Sequence, residues 1–161
     1  MAMDIFTGSN IRAEYSLSAG STVATDLTEI PELNTFTNIS MSNAVVDVVE
    51  FNSLYNRKLS GSKTVDTISI GVNWVPDCEA HMALEQACND QARIQIKFSY
   101  FENATQDTGY YIVFNGFITN NSISSDKDTV VSKTFSFDTD GAPVDSGLIT
   151  ETDPDDGGEG A

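Results

Sequence analysis

The residues best suited to chemistry in this chain lie in one short segment, Cys78, His81 and Cys88. His81 is the single histidine among 161 residues, so a metal site or a Ser/His/Asp triad would have to be built around it. A thiolate and imidazole site needs ligand pairs at close spacing, and the segment has neither C-x-x-C nor H-x-x-x-H. The run Asp138-Thr139-Asp140-Gly141 opens like a calcium loop, but the later oxygen ligands and the closing glutamate are missing. Two carboxylates can hydrolyse a glycoside, yet 24 acids spread evenly along the chain single out no pair. Glycine-rich phosphate loops and the G-x-S-x-G nucleophile turn are absent. The sequence therefore assigns no catalytic, metal or cofactor residue and points away from an enzyme. Sequons at Asn38, Asn103 and Asn120 read as chance, because no secretion signal accompanies them.

The element carrying Cys78, His81 and Cys88 is a helix between two strands. From Asp66 to Trp74 apolar residues (Ile68, Ile70, Val72, Trp74) alternate with small or polar ones, which is the period of a strand with one face on a core. Pro76 stops it, and Asp77 stands where a helix cap is needed. Ala80, Leu84, Ala87 and Cys88 then recur at helical spacing and predict the core face of a helix over about residues 77–90. On such a helix the two cysteines sit ~15 Å apart. That is too far for a disulfide, so both read as small apolar residues in a reducing compartment. Ile94, Ile96, Phe98 and Tyr100 restore the alternation of a strand.

The remainder supplies a sheet. Ile11–Leu17, Phe36–Met41, Val45–Phe51, Tyr110–Thr119 and Thr129–Asp138 read as strands, with a turn or kink at Asn120-Asn121 and a bulge or close backbone approach at Gly116. Val45–Phe51 is apolar on both faces with one acid on each, so it is either central or covered by a partner chain. About seven or eight strands joined by short turns, with one helix, predict a mainly β fold: an antiparallel sandwich or partly closed barrel flanked by a helix. The expected organisation is an N-terminal arm over residues 1–10 and one domain over 11–145. An acidic, glycine-rich disordered tail over 146–161 follows.

Charge narrows the partners. The net charge is −16, from 24 acids against 8 bases, the opposite of a nucleic-acid binder's basic face. No apolar run approaches the ~20 residues of a membrane span. The N-terminus lacks a basic segment followed by an apolar one, so synthesis in a cytoplasm is expected. Segment 52–63 concentrates three of the bases, Arg57, Lys58 and Lys63. It reads as a mobile polar loop, either solvated or docking on the acidic surface of a neighbouring copy.

Several marks in order resemble the major tail protein, the tail tube protein, of lambda-type long-tailed bacteriophages. They are Trp74-Val75-Pro76 before the helix, Lys97-Phe98 after it, Gly116-Phe117-Ile118, Ser122-Ile123-Ser124, Asp128 to Val131, and a strand closing on Gly141. The resemblance spans roughly residues 36–143. It implies a structural virion protein of a phage tail, assembled in the host cytoplasm. Its copies would form hexameric rings that stack into a hollow tube for passage of the genome, without specific DNA binding. Its partners would be further copies of itself, a tail-tip or initiator protein, a tape-measure protein and a terminator. It also implies that loop 52–63 reaches an adjacent subunit or ring through Arg57, Lys58 and Lys63, and that Asp47, Glu50 and Asp66 face an acidic lumen. No cofactor and no membrane insertion are expected. A β-sandwich module that binds glycan or protein through Tyr100, Phe101, Tyr110 and Tyr111 is the alternative.

Overall fold

The computed structural model describes residues 5, 8–36, 39–105 and 107–150. In chain order these form β1 (Ile11–Ser16), β2 (Thr28–Glu29), β3 (Leu33–Phe36), β4 (Met41–Val48), β5 (Arg57–Val65), β6 (Ile68–Asn73), α1 (Glu79–Asp90), β7 (Arg93–Phe101), β8 (Gly109–Ser124), β9 (Ser132–Thr139) and β10 (Asp145–Ile149). Seven of the strands run in the order β2-β1-β7-β8-β9-β6-β3, and β10 joins the same sheet along β8. The strand pairings are antiparallel. This sheet curls into a half-barrel, and β4 and β5 form a second sheet of their own. The mainly β architecture with one helix is the one expected from the alternation.

The core sits in the curl. Ile68, Ile70 and Val72 of β6, Ile94, Ile96 and Phe98 of β7, and Phe135 and Phe137 of β9 are fully buried. Each such side chain contributes about 1.5–3 kcal/mol through removal of apolar surface from water. Phe98 packs edge-on against Phe114 at 6.4 Å and Phe137 at 6.5 Å, tying three strands together. Ala80, Leu84 and Ala87 of the helix are buried on this core and Cys88 is half-buried beside it, as the helical spacing predicts.

The helix boundaries differ from expectation by one cap. Asp77 stays exposed, and Cys78 takes the N-cap position without a side-chain bond. Its carbonyl accepts from the Met82 N–H at 3.0 Å. At the other end Gln91 adopts a left-handed φ of 54°, and the Ala92 N–H reaches the Ala87 carbonyl at 3.0 Å, closing the last turn.

Four other expectations change. Segment 52–63 is not one mobile loop: from Arg57 onward it is β5, paired in register with β4. Its polar RKLSGSK sequence shows no hydrophobic alternation because neither face is covered. The predicted strand over 36–41 instead falls at the end of β3 and the start of β4, with residues 37 and 38 outside the described residues. Of the turn or kink expected at Asn120-Asn121, the turn is excluded: β8 continues through it, and the register shift between Ile118 and Asn120 absorbs one residue as a bulge, which kinks the strand. Residues 146–149, expected in the tail, belong instead to β10 (Asp145–Ile149), which pairs with Val113–Gly109 of β8. Leu148 remains exposed there, so the strand is held by backbone hydrogen bonds, which hydrophobicity does not reveal. Residues 151–161, and most of the predicted arm over 1–10, lie outside the described residues. Gly116 does mark a close approach: a Cβ there would collide with the Asp138 carbonyl oxygen of the neighbouring strand.

Candidate assembly surfaces

The hairpin β4–β5 is the feature most unlike a folded interior. Register places Val46 opposite Leu59 and Val48 opposite Arg57 on one face, and Val45 opposite Ser60 and Asp47 opposite Lys58 on the other. Val45, Val46 and Leu59 are all more than half exposed. At the tip, Phe51 and Leu54 are fully exposed and Tyr55 nearly so. Val45–Phe51 is therefore not a central strand; it offers apolar side chains to solvent on both faces.

The charged residues singled out in the sequence lie on this hairpin. Arg57 pairs with Glu50 at 3.8 Å and Lys58 with Asp47 at 4.0 Å, all four largely exposed. Exposed pairs of this kind contribute little to stability, about 0–1 kcal/mol. The structure thus joins two expected contact bases to two expected lumen acids within one chain. Lys63 stands nearer the hairpin base, opposite Asn43. It lines an open groove of about 360 Å³ with Met41, Val65, Thr139 and Pro143. Asp66 lies just past β5, exposed, with its N–H on the Ser40 carbonyl at 2.9 Å.

Two polar anchors escaped the sequence reading. Lys133 is on the core side of β9, 1% exposed, with its ammonium 2.9 Å from a Glu85 oxygen of α1. No further hydrogen bond of good geometry reaches that Nζ among the described residues. The ammonium also lies over the rings of Trp74 (5.3 Å) and Phe135 (5.6 Å). Strand alternation with Phe135 and Phe137 was the signal that placed it inward. On the other side of the sheet, Gln95 (fully buried) and Asn115 hold the segment between β1 and β2. The Gln95 amide accepts from the Ala24 N–H at 2.7 Å and donates to the Thr22 carbonyl and to the Asn115 Oδ1, both at 3.0 Å. Asn115 donates to the Gly20 carbonyl at 2.7 Å. These bonds span segments far apart in sequence, so no local pattern announces them.

His81, the one candidate for chemistry, is buried as a structural group. Its Nδ1 accepts from the Val75 N–H at 3.3 Å, and its Nε2 donates to the Pro31 carbonyl at 3.0 Å. Both ring nitrogens are thereby used to pin the turn before the helix. Cys78 and Cys88 are free thiols, and among the described residues no group of His, Cys, Asp and Glu could hold a metal ion. Tyr111 donates to Asp145 at 2.9 Å, and that bond raises the phenol pKa above its ordinary value. Burial does the same for Tyr100, half enclosed beside Tyr110. Tyr100 and Tyr110 border a shallow groove with Ile39, Met41 and Ile112.

Beyond β8's bulge the sheet turns a face of a third kind away from the helix. Asn121 points to the helix and donates to the Cys88 sulfur at 3.4 Å. Its neighbours Asn120 and Ser122 therefore occupy the opposite face, opposite Ser136 and Thr134 of β9. That face continues onto Ser69 and Asn73 of β6.

No family model matches the sequence, and no curated protein matches it. Solved structures do. The chain superposes on a component of the 6-fold symmetrised baseplate of the anti-feeding prophage with a TM-score of 0.68 at 8% identity, covering 93% of this chain and 98% of that one. It superposes on the SPP1 tail tube with a TM-score of 0.63 at 13% identity, covering 92% and 81%. A chain from the tail of an empty gene transfer agent particle, refined with C6 symmetry, gives 0.62 at 17% identity, covering 86% and 97%. The fold is thus shared with phage tail tube and contractile-injection-system proteins; these likenesses do not favour the lambda type specifically.

Proposed function

We propose that this chain is the structural subunit of a tail tube. Copies close into hexameric rings, and the rings stack into a hollow channel through which nucleic acid reaches a host. The observation that carries this reading is the β4–β5 hairpin, which stands apart from the main sheet with apolar residues exposed on both faces and at its tip. A second copy of the chain is the partner that would cover it. Burying the Phe51, Leu54 and Tyr55 side chains alone would contribute about 1.5–3 kcal/mol each before the costs of association. Closed association of strands also removes the free edges that a lone hairpin presents. The fold shared with tube and baseplate components supports the same reading.

In this proposal Arg57, Lys58 and Lys63 are contact residues between subunits or rings, and Asp47, Glu50 and Asp66 supply the acids of the lumen. Tail-tip, tape-measure and terminator proteins are the proposed partners, within a virion assembled in a host cytoplasm. The proposed domain plan is an arm over residues 1–10 and a tube domain over 11–149. An acidic tail follows.

Electron microscopy and sedimentation velocity on concentrated protein test the proposal. Hollow tubes or six-membered rings are expected. Phe51→Ser with Leu54→Ser should raise the concentration needed for assembly by at least roughly tenfold, with the melting temperature of the unassembled chain unchanged. A wild-type chain that stays monomeric at its highest soluble concentration would refute the reading.

A further inference from the structure

The −16 charge of this chain is not spread over all of its water-facing surface. On the face of β6, β9 and β8 turned away from the helix, register sets Ser136 beside Asn120, Thr134 beside Ser122, and Ser132 beside Ser124. Ser69 and Asn73 of β6 extend the rows on the far side of β9. All of these side chains are exposed or half-exposed. The only charge on these rows is at their end, where the Asp138 carboxylate accepts from the hydroxyls of Thr67 and Thr119, the latter at 2.7 Å. Acids stand instead on the helix (Glu79, Glu85, Asp90) and on connecting segments (Asp77, Asp126, Asp128).

We propose that this hydroxyl- and amide-lined face is the wall along which nucleic acid slides once the chain is assembled. The inference rests on the tube reading above. Three other uses of the face fit its chemistry poorly. An interface with another copy would have to bury hydroxyls and amides, each costing about 1–3 kcal/mol without a matched partner, while the exposed apolar side chains gather on the hairpin. A sugar platform needs an aromatic ring central to the face, and the ring on these rows, Phe117, lies at their end opposite Asp138, beyond the serine and threonine pairs. A nucleic-acid holding site needs Lys or Arg to displace counterions from the phosphates, and the rows carry neither. A strongly acidic wall would repel a polyanion and a basic one would trap it. Neutral groups that keep a layer of water do neither. Acids from the hairpin then mark limited parts of the channel and not its whole wall.

Single-cysteine variants test the assignment. In a background with Cys78→Ser and Cys88→Ser, Ser122→Cys and Thr134→Cys place a thiol on this face, and Gln86→Cys places one on the exposed side of the helix. Intact tubes are treated with N-ethylmaleimide or with a bulky polyethylene-glycol maleimide. The two face variants should react with the small reagent and be shielded at least roughly tenfold from the bulky one, whereas Gln86→Cys should not be shielded in this way. Bulky labelling of Thr134→Cys in intact tubes would place the face outside, and protection from both reagents would place it in an interface; either overturns the proposal. A second readout adds charge. Thr134→Lys tubes assembled with short duplex DNA should retain nuclease-protected DNA that wild-type tubes do not, and equal retention would overturn the proposal. Circular dichroism of unassembled variants identifies any that misfold. Failure of the wild type to form tubes at all would remove the assembly reading, and this inference with it.

Discussion

Glu85→Gln should destabilise the fold far more than Lys133→Met, although the two substitutions break the same ion pair. Lys133 is 1% exposed, while the Glu85 side chain is 43% exposed. Removing one partner of a buried pair costs about 3–5 kcal/mol, because the remaining charge stays desolvated. Water reaches the Glu85 side of this pair, so about 2 kcal/mol is expected for Glu85→Gln. Lys133→Met removes the buried charge itself and fills similar space with an apolar chain. It loses the contacts over Trp74 and Phe135, worth up to about 2 kcal/mol each for a desolvated ammonium, and gains a comparable amount from relief of desolvation. Its net effect should lie within about 1 kcal/mol of the wild type. The double variant should match Lys133→Met, which is the signature of coupling between contacting residues. Trp74 is the single tryptophan and lies against the ammonium, so its fluorescence can follow urea unfolding of the unassembled chain. With a urea slope of about 2 kcal/mol/M, Glu85→Gln should lower the midpoint by about 1 M and Lys133→Met by less than about 0.5 M. Equal losses from both single variants, or a double variant that sums them, would refute the account of a desolvated ammonium held by one carboxylate.

Gln95→Ala should release the segment between β1 and β2, since it leaves the Ala24 N–H and Thr22 carbonyl without their side-chain partner. A loss of about 2–3 kcal/mol is expected, with faster hydrogen exchange confined to residues 17–27 as the check. Gly116→Ala should cost about 3 kcal/mol or more, because β8 and β9 would have to separate around the new Cβ. Gly20→Ala, with open space around it, should melt within a few degrees of the wild type. The raised phenol pKa values of Tyr15 and Tyr100, both caused first by burial, predict a loss of stability in alkali. The unfolded chain releases these protons near pH 10 and the folded chain only higher. Their contribution is therefore complete below about pH 10 and is lost as pH rises through the folded values. Tyrosinate absorbance and melting temperature against pH check both parts, and a melting temperature that is constant through that range would count against the assignment.

The sequence by itself determined the elements whose burial is local and periodic. Ile68, Ile70 and Val72, then Ala80, Leu84 and Ala87, then Ile94, Ile96 and Phe98 write strand, helix and strand directly, because each element sets apolar residues on one face and polar ones on the other, even on β7 where the polar face is itself covered at Gln95 and Ser99. The tertiary structure alone decided the elements that bury little. β5 and β10 are held by backbone pairing and bury little apolar surface, so a polar strand and a short, mostly exposed strand read as a loop and a tail. It also decided which charges meet. Arg57 with Glu50 and Lys58 with Asp47 follow from hairpin register, and Lys133 with Glu85 from the packing of a helix on a strand many residues away. The neutral rows on β6, β9 and β8 emerge only when three strands are laid side by side. Alternation sorts each strand's residues into two faces, but pairing and the β8 bulge determine which faces join into one surface.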